Sequence, residues 1–187
     1  MKKLNQNTVR EFAAFMENKY NAPIIGRTNP GIRAAEFALD AMQIPAVVGC
    51  TVGKWLDKWA IALKRFVYLP FTPGYGGALA DQVALITHEY AHIYQQNRIP
   101  RWFARYIFRT SYRAEYEVYA AKSEMEIREV LGVPLSPAVM AAALRPYGLT
   151  TADRRVALKH LSMYNEYTSR GRRSQSVGKV AATWWLS

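Results

Sequence analysis

The spacing of apolar positions predicts a chain built mainly from amphipathic helices. Apolar residues recur at intervals of three and four from near Asn7 or Thr8. They recur again after Asn29-Pro30, where a capping side chain precedes a proline suited to the first helical turn. The same period predicts further helices over about 79–97, 101–111, 112–131, 137–145 and 151–164.

Two stretches instead have the apolar composition of β-strands, over residues 46–52 and 60–69. Prolines and glycines between residues 70 and 77 end the second stretch and predict a loop. The order of these elements predicts an α+β fold, mostly α, with a short sheet just before the helix at about 79–97.

The size and composition of the chain favour one domain over residues 1–167, followed by a basic C-terminal extension over 168–187. The extension ends in Trp184-Trp185-Leu186, which we expect to dock on the body of the protein or on a partner. No apolar run is long enough to span a membrane, and no signal peptide is evident. Cys50 is the only cysteine, so we expect no internal disulfide and a cytoplasmic location.

The formal net charge is +11, which favours polyanionic partners. Nucleic acid, an anionic membrane and a cell-wall polymer are the candidates. The alternative is a solvated basic surface without a dedicated ligand.

The candidate chemistry is concentrated in the helix at about 79–97, which contains the run His88-Glu89-Tyr90-Ala91-His92. Residues four apart share one helix face, so both imidazoles can point at one metal ion. Zinc binds neutral imidazole and leaves a coordination position open for water in catalytic sites. Glu89 is placed to accept the proton of that water. The alternative is two structural histidines beside an unrelated glutamate.

A catalytic zinc site normally has three protein ligands. The next helix offers Glu115 and Glu117, which are two residues apart and therefore face different directions. At most one of them is expected to bind directly. His160 is the only other histidine.

Two segments resemble the gluzincin-type (HExxH) zinc metallopeptidases, namely 87–96 and 115–121. The resemblance covers about residues 60–130. It implies a zincin-like fold, with the active-site helix beside a short β-sheet and a second helix carrying the third ligand. The family register makes Glu115 that ligand, with Glu117 as the alternative because an alanine follows it by three residues. Tyr119 stands where the family often has an acidic residue that orients a histidine.

The resemblance also implies a function, which is zinc-dependent hydrolysis of peptide bonds. A metal-activated water would attack the carbonyl, with Glu89 as general base. His160 is a candidate donor to the oxyanion, and Tyr164, Tyr68, Tyr90 and Tyr94 are weaker ones. Protein or peptide substrate would pair with the strand at about 60–69.

Arginines recur every four residues at Arg101, Arg105, Arg109 and Arg113, with aromatic residues between them. On one helix they would form a basic stripe suited to phosphate, nucleobases or lipid, and it would border the cleft. The alternative is a connecting helix whose aromatics pack inward and whose arginines pair with nearby glutamates.

Two further functions fit the same residues. One is a nucleic-acid- or envelope-associated binding protein on a zincin scaffold. The other is a metal-dependent amidase acting on peptidoglycan.

Overall fold

The structure, a computed structural model, describes residues 1–26, 60–63, 65–169 and 177–187. Four features of the sequence lie outside the described residues. They are the helix expected after Asn29-Pro30, the strand expected over 46–52, Cys50, and the basic run from Arg170 to Arg173.

Helices dominate the described chain, and they follow the predicted positions closely. The first, α1, spans Gln6–Tyr20 and is capped by Asn5, whose Oδ1 accepts a hydrogen bond from Thr8 N at 3.0 Å. The others are α2 (Leu79–Arg98), α3 (Trp102–Phe108), α4 (Thr110–Val130), α5 (Pro137–Ala143), α6 (Thr151–Ser169) and α7 (Val177–Leu186), with a short 3₁₀ turn over Arg145–Tyr147.

A small sheet of three strands accompanies the helices, so the prediction of an α+β fold that is mostly α is confirmed. The strands are β1 (Ile24–Ile25), β2 (Ile61–Leu63) and β3 (Phe66–Tyr68), in the spatial order β1-β3-β2. Strand β3 pairs in parallel with β1 and antiparallel with β2.

The single strand predicted over 60–69 is therefore wrong. A tight turn that includes exposed Arg65 folds this segment into the β2–β3 hairpin, in which Ile61 pairs with Tyr68 and Leu63 with Phe66. Arg65 lies where the turn keeps its side chain in water.

The main hydrophobic core lies around α2, which packs against α1, α4, α7 and the sheet. Trp185 of α7 is fully buried in this core, with its ring centroid 5.9 Å from that of Phe12. The expectation that the terminal tryptophans dock on the body holds for Trp185. Helix α7, which lies within the extension predicted over 168–187, contributes Val177, Ala181 and Trp185 to the main core.

A second, smaller core lies on the other side of α4, where α6 packs against α4 and α5 packs against α6. Helix α4 is therefore covered on two faces, one toward α2 and one toward α6. Among the described helices, none combines the length and the apolar composition needed to cross a bilayer.

Candidate metal centre

Helix α2 brings His88 and His92 together on one face, as their spacing predicts. Both side chains are buried, and their ring centroids lie 5.0 Å apart in an edge-to-face arrangement. The helix has apolar residues on its other faces, including Val83, Ile86 and Ile93. Packing against these residues fixes the direction in which the two imidazoles point.

Helix α4 places Glu117 opposite the two histidines. Its carboxylate is fully buried, with Oε2 3.3 Å from His88 Nε2 and Oε1 3.4 Å from His92 Nε2. One ligand atom from each of the three residues lies within 4.8 Å of the others. Three buried side chains from two helices therefore converge on one point.

Two of the separations, each to a different oxygen of Glu117, have the size expected between ligands of one zinc ion. Ligands about 2.0–2.1 Å from such an ion lie about 3.3–3.4 Å from one another. The carboxylate oxygens lie 3.3 and 3.4 Å from the histidine nitrogens. Glu117 Oε2 is buried and accepts no hydrogen bond from the described residues. A metal ion would satisfy it.

The hydrogen bonds of His92 determine its tautomer, and therefore which ring nitrogen has a lone pair for a metal ion. Gln95 Oε1 lies 3.0 Å from His92 Nδ1 and also accepts from Trp102 Nε1, which is a donor only. Gln95 Nε2 donates to Tyr116 O, which fixes the amide orientation. His92 Nδ1 is therefore the donor, and in the neutral ring Nε2 presents a lone pair toward Glu117. Two electron-rich atoms facing each other require a proton or a metal ion between them.

The partner of His88 is a carboxylate on α4 that the sequence interpretation missed. Glu124 Oε2 lies 3.4 Å from His88 Nδ1, and Glu124 Oε1 accepts a hydrogen bond from Arg128 Nε at 2.8 Å. Arg128 also pairs with Asp81 at 2.7 Å. Carboxylates commonly orient metal-ligating histidines in this way. Glu124 follows Glu117 by two helical turns, and that spacing was the available signal.

Glu117 replaces Glu115 as the residue beside the histidines, so the preferred order of the two candidates is reversed. Glu115 is exposed on the opposite face of α4, where it lines a cavity with residues of α2 and α6. The two positions are about 200° apart on a helix, so only one can face His88 and His92. Ala120, which follows Glu117 by three residues, was the sequence feature that favoured it.

An aromatic wall from α3 closes the site beside His92. The ring centroids of Trp102 and Tyr106 lie 5.6 and 6.1 Å from that of His92. Tyr106 Oη donates a hydrogen bond to Glu117 Oε1 at 2.5 Å. Tyr106 is thus a further site residue that the sequence interpretation did not identify.

Glu89 is buried within the same group of charges. Burial raises its pKa, while the neighbouring imidazoles of His88 and His92 act in the opposite direction. Its charge in turn contributes to the raised pKa of both His88 and Tyr106. A buried carboxyl with a raised pKa is suited to accept and return a proton.

The charges of the clustered side chains shift one another's pKa values. Burial alone would lower the pKa of His88, but the carboxylates of Glu117 and Glu124 raise it well above its usual value. Burial would raise the pKa of Glu117, but His92 and His88 lower it. Since metal binding requires neutral imidazole, a metal ion would compete with protonation of His88.

The predicted donor His160 lies away from this cluster. It is exposed on α6 and lines the cavity of about 670 Å³ that also contains Glu115. Tyr164 donates instead to Glu126, and Tyr119 stacks on Tyr94 with ring centroids 6.0 Å apart. Tyr90 donates to Ala22 O. Tyr106, which was not among the predicted donors, does reach a candidate ligand, Glu117.

The predicted basic stripe over Arg101, Arg105, Arg109 and Arg113 is interrupted, because the helix breaks at Arg109, which has extended backbone. Arg113 is buried and is not a surface residue. Its guanidinium donates to the carbonyl oxygens of Tyr106, Ile107 and Tyr147. The aromatics Trp102 and Tyr106 pack inward, as the alternative interpretation predicted.

Comparison of the chain with protein-family models, with curated proteins and with solved structures finds no match.

Proposed function

We propose that the protein is a zinc-dependent metallopeptidase. The observation that carries the proposal is the buried convergence of His88, His92 and Glu117, with Glu89 inside the same group of charges. Two imidazoles and one carboxylate form a ligand set typical of catalytic zinc sites. A purely structural site would have no need of an additional buried glutamate.

The described residues would divide the work between holding the metal and moving protons. His88, His92 and Glu117 hold the ion, which when bound supplies a Lewis acid that polarises the scissile carbonyl and activates water. Glu89 accepts a proton on its carboxylate and returns it to the leaving amine. Tyr106 Oη, which donates to Glu117, is our candidate for stabilising the oxyanion.

Strand β2 is our candidate for binding an extended substrate. It lies at one edge of the described sheet and packs against α2, the helix that carries both histidines. Gln96 Nε2 of α2 donates to Ala62 O of β2 at 2.7 Å, which holds the strand in place beside that helix. An edge strand in a fixed position can pair with a peptide through backbone hydrogen bonds.

The test compares the wild-type chain with Glu89→Gln in two measurements, bound zinc and cleavage of an unfolded protein. We expect both proteins to retain about one zinc ion per chain, because Glu89 is not a ligand. We expect Glu89→Gln to lower the cleavage rate by about 100-fold or more, because it removes the general base. Glu129→Gln, at an exposed position of α4, is the matched control and should change neither result.

Three results would contradict the proposal at different points. Well-folded wild-type protein that binds no zinc would exclude the metal site itself. Zinc binding with equal cleavage by wild type and Glu89→Gln would exclude Glu89 as the base. Cleavage of peptidoglycan fragments, with no cleavage of protein, would replace the peptidase with the amidase.

A further inference from the structure

The outer side of α3 and the residues on either side of this helix form a surface of arginines and aromatic rings. It consists of Arg101, Arg105, Phe108, Arg109 and Tyr112, and we call it the Arg–Phe surface. Phe108 is the most exposed of its rings, with 76% of its surface accessible, and Tyr112 is 39% exposed. Arg101 and Arg109 are exposed, and Arg105 is half-buried.

The positive charge of this surface is not neutralised by neighbouring residues in the described structure. No acidic residue occurs in the sequence between Glu89, which is buried, and Glu115. Within the described residues, no ion pair involves the three arginines. The Arg105 guanidinium instead lies over the Tyr112 ring, 5.2 Å from its centroid.

The surface combines two properties that suit an anionic lipid surface. Arginines attract phosphate head groups, and each basic residue near an anionic bilayer adds to binding. An exposed phenylalanine gains from entering the boundary between head groups and acyl chains. Duplex nucleic acid would use the arginines but offers little to Phe108, whose ring has no polar atom.

We propose that the Arg–Phe surface binds anionic phospholipid membranes and holds the protein at the bilayer surface. The inner side of α3 carries Trp102 and Tyr106, which contact His92, so a bound membrane would lie next to the candidate metal centre. The next step rests on the proposed function. If the protein is a peptidase, its substrates would be membrane-bound or membrane-proximal proteins. Membrane binding itself requires no catalysis.

The test is flotation of the full chain with vesicles of phosphatidylcholine alone and with vesicles containing about 30% phosphatidylglycerol. We expect wild-type protein to partition mainly onto the anionic vesicles. The double variant Phe108→Ser/Arg109→Glu should reduce that partitioning by about tenfold or more. The matched control is Met163→Ser/Lys159→Glu on α6, which removes an exposed apolar side chain and reverses one charge on another surface. We expect it to change partitioning by less than about twofold.

Several outcomes would overturn the proposal. They are no preference for anionic vesicles, equal losses for the two double variants, and displacement by duplex DNA in a salt-dependent manner that Phe108→Ser leaves unchanged. Circular dichroism and bound zinc are measured on every variant. A variant that keeps its fold and zinc but loses vesicle binding separates this surface from the metal centre, whether or not the protein cleaves peptides.

Discussion

Glu117 carries its charge at a fully buried position, where the surrounding groups must offset the cost of removing the carboxylate from water. A buried carboxylate without partners would be strongly destabilising. Here two imidazoles and the Tyr106 hydroxyl face it. Glu115 needs no such partners, because it is exposed two residues earlier on the same helix. The two glutamates are therefore a matched pair for testing the site.

We expect Glu117→Gln to weaken zinc binding by about 100-fold or more, because it removes a charged ligand and leaves an amide in its place. Glu115→Gln should leave the affinity within about twofold. The measurement is zinc competition with a chromophoric chelator. The opposite order of the two variants would return the third ligand to Glu115.

Glu124 is expected to act through His88. We predict that Glu124→Gln lowers zinc affinity by about 10- to 100-fold, because His88 Nδ1 loses the carboxylate that orients the ring. Glu129→Gln, one helical turn and one residue further along α4, serves as the control. An unchanged affinity in Glu124→Gln would show that His88 is held by packing alone.

The sequence was informative about residues on one helix and much less so about contacts between helices. The spacing of His88 and His92 predicted their convergence, because a single helix determines it. Whether Glu115 or Glu117 faces them depends on how α4 is rotated about its axis. Tyr106 and Gln95 reach the site only through the packing of α3 against α2, which no local pattern predicts.

At the scale of elements, α3 is a short helix with two different sides. Its inner side forms the wall beside His92, and its outer side carries the Arg–Phe surface. Arg113 holds it in place from the first turn of α4, by hydrogen bonds to the carbonyl oxygens of Tyr106 and Ile107 at the end of α3. The buried Arg113 thus fixes the position of α3, beside which the exposed arginines lie.

We predict that Arg113→Gln lowers the free energy of unfolding by about 2–4 kcal/mol, because it leaves buried carbonyl oxygens without donors. Arg109→Gln, at the exposed position between the two helices, should change it by less than about 0.5 kcal/mol. Urea denaturation followed by circular dichroism measures both. Equal effects would mean that the hydrogen bonds of Arg113 contribute little to stability.

Helix positions were predictable where apolar periodicity and capping residues agreed, as at α1 and at α5 after Ser136. The β2–β3 hairpin was not predicted, because its strands are only three residues long and apolar on both sides of the turn. The break between α3 and α4 lies two to three residues earlier than predicted. Its position was not predictable because Arg109 carries no helix-breaking side chain.

At the scale of the whole molecule, α7 is part of the domain core although it comes last in the chain. Its residues Val177, Ala181 and Trp185 join the same apolar cluster as α1 and α2. The basic residues near the C-terminus predicted an extension. The apolar face of α7 nevertheless packs in the main core.

We predict that Trp185→Ala destabilises the domain by about 3–5 kcal/mol, because it leaves a large cavity in the main core. Leu186→Ala, at a position that is 44% exposed, should cost less than about 1 kcal/mol. Thermal unfolding of the two variants checks this. Similar melting temperatures would show that α7 is not needed for the stability of the domain.

The order of the ligands along the chain has a consequence for dynamics. His88 and His92 lie before α3 and Glu117 lies after it, so an ion bound by all three would act as a cross-link across that segment. Such a cross-link lowers the conformational freedom of the enclosed chain. Metal occupancy and the rigidity of the Arg–Phe surface would then be coupled, and hydrogen exchange in α3 would slow when zinc is added.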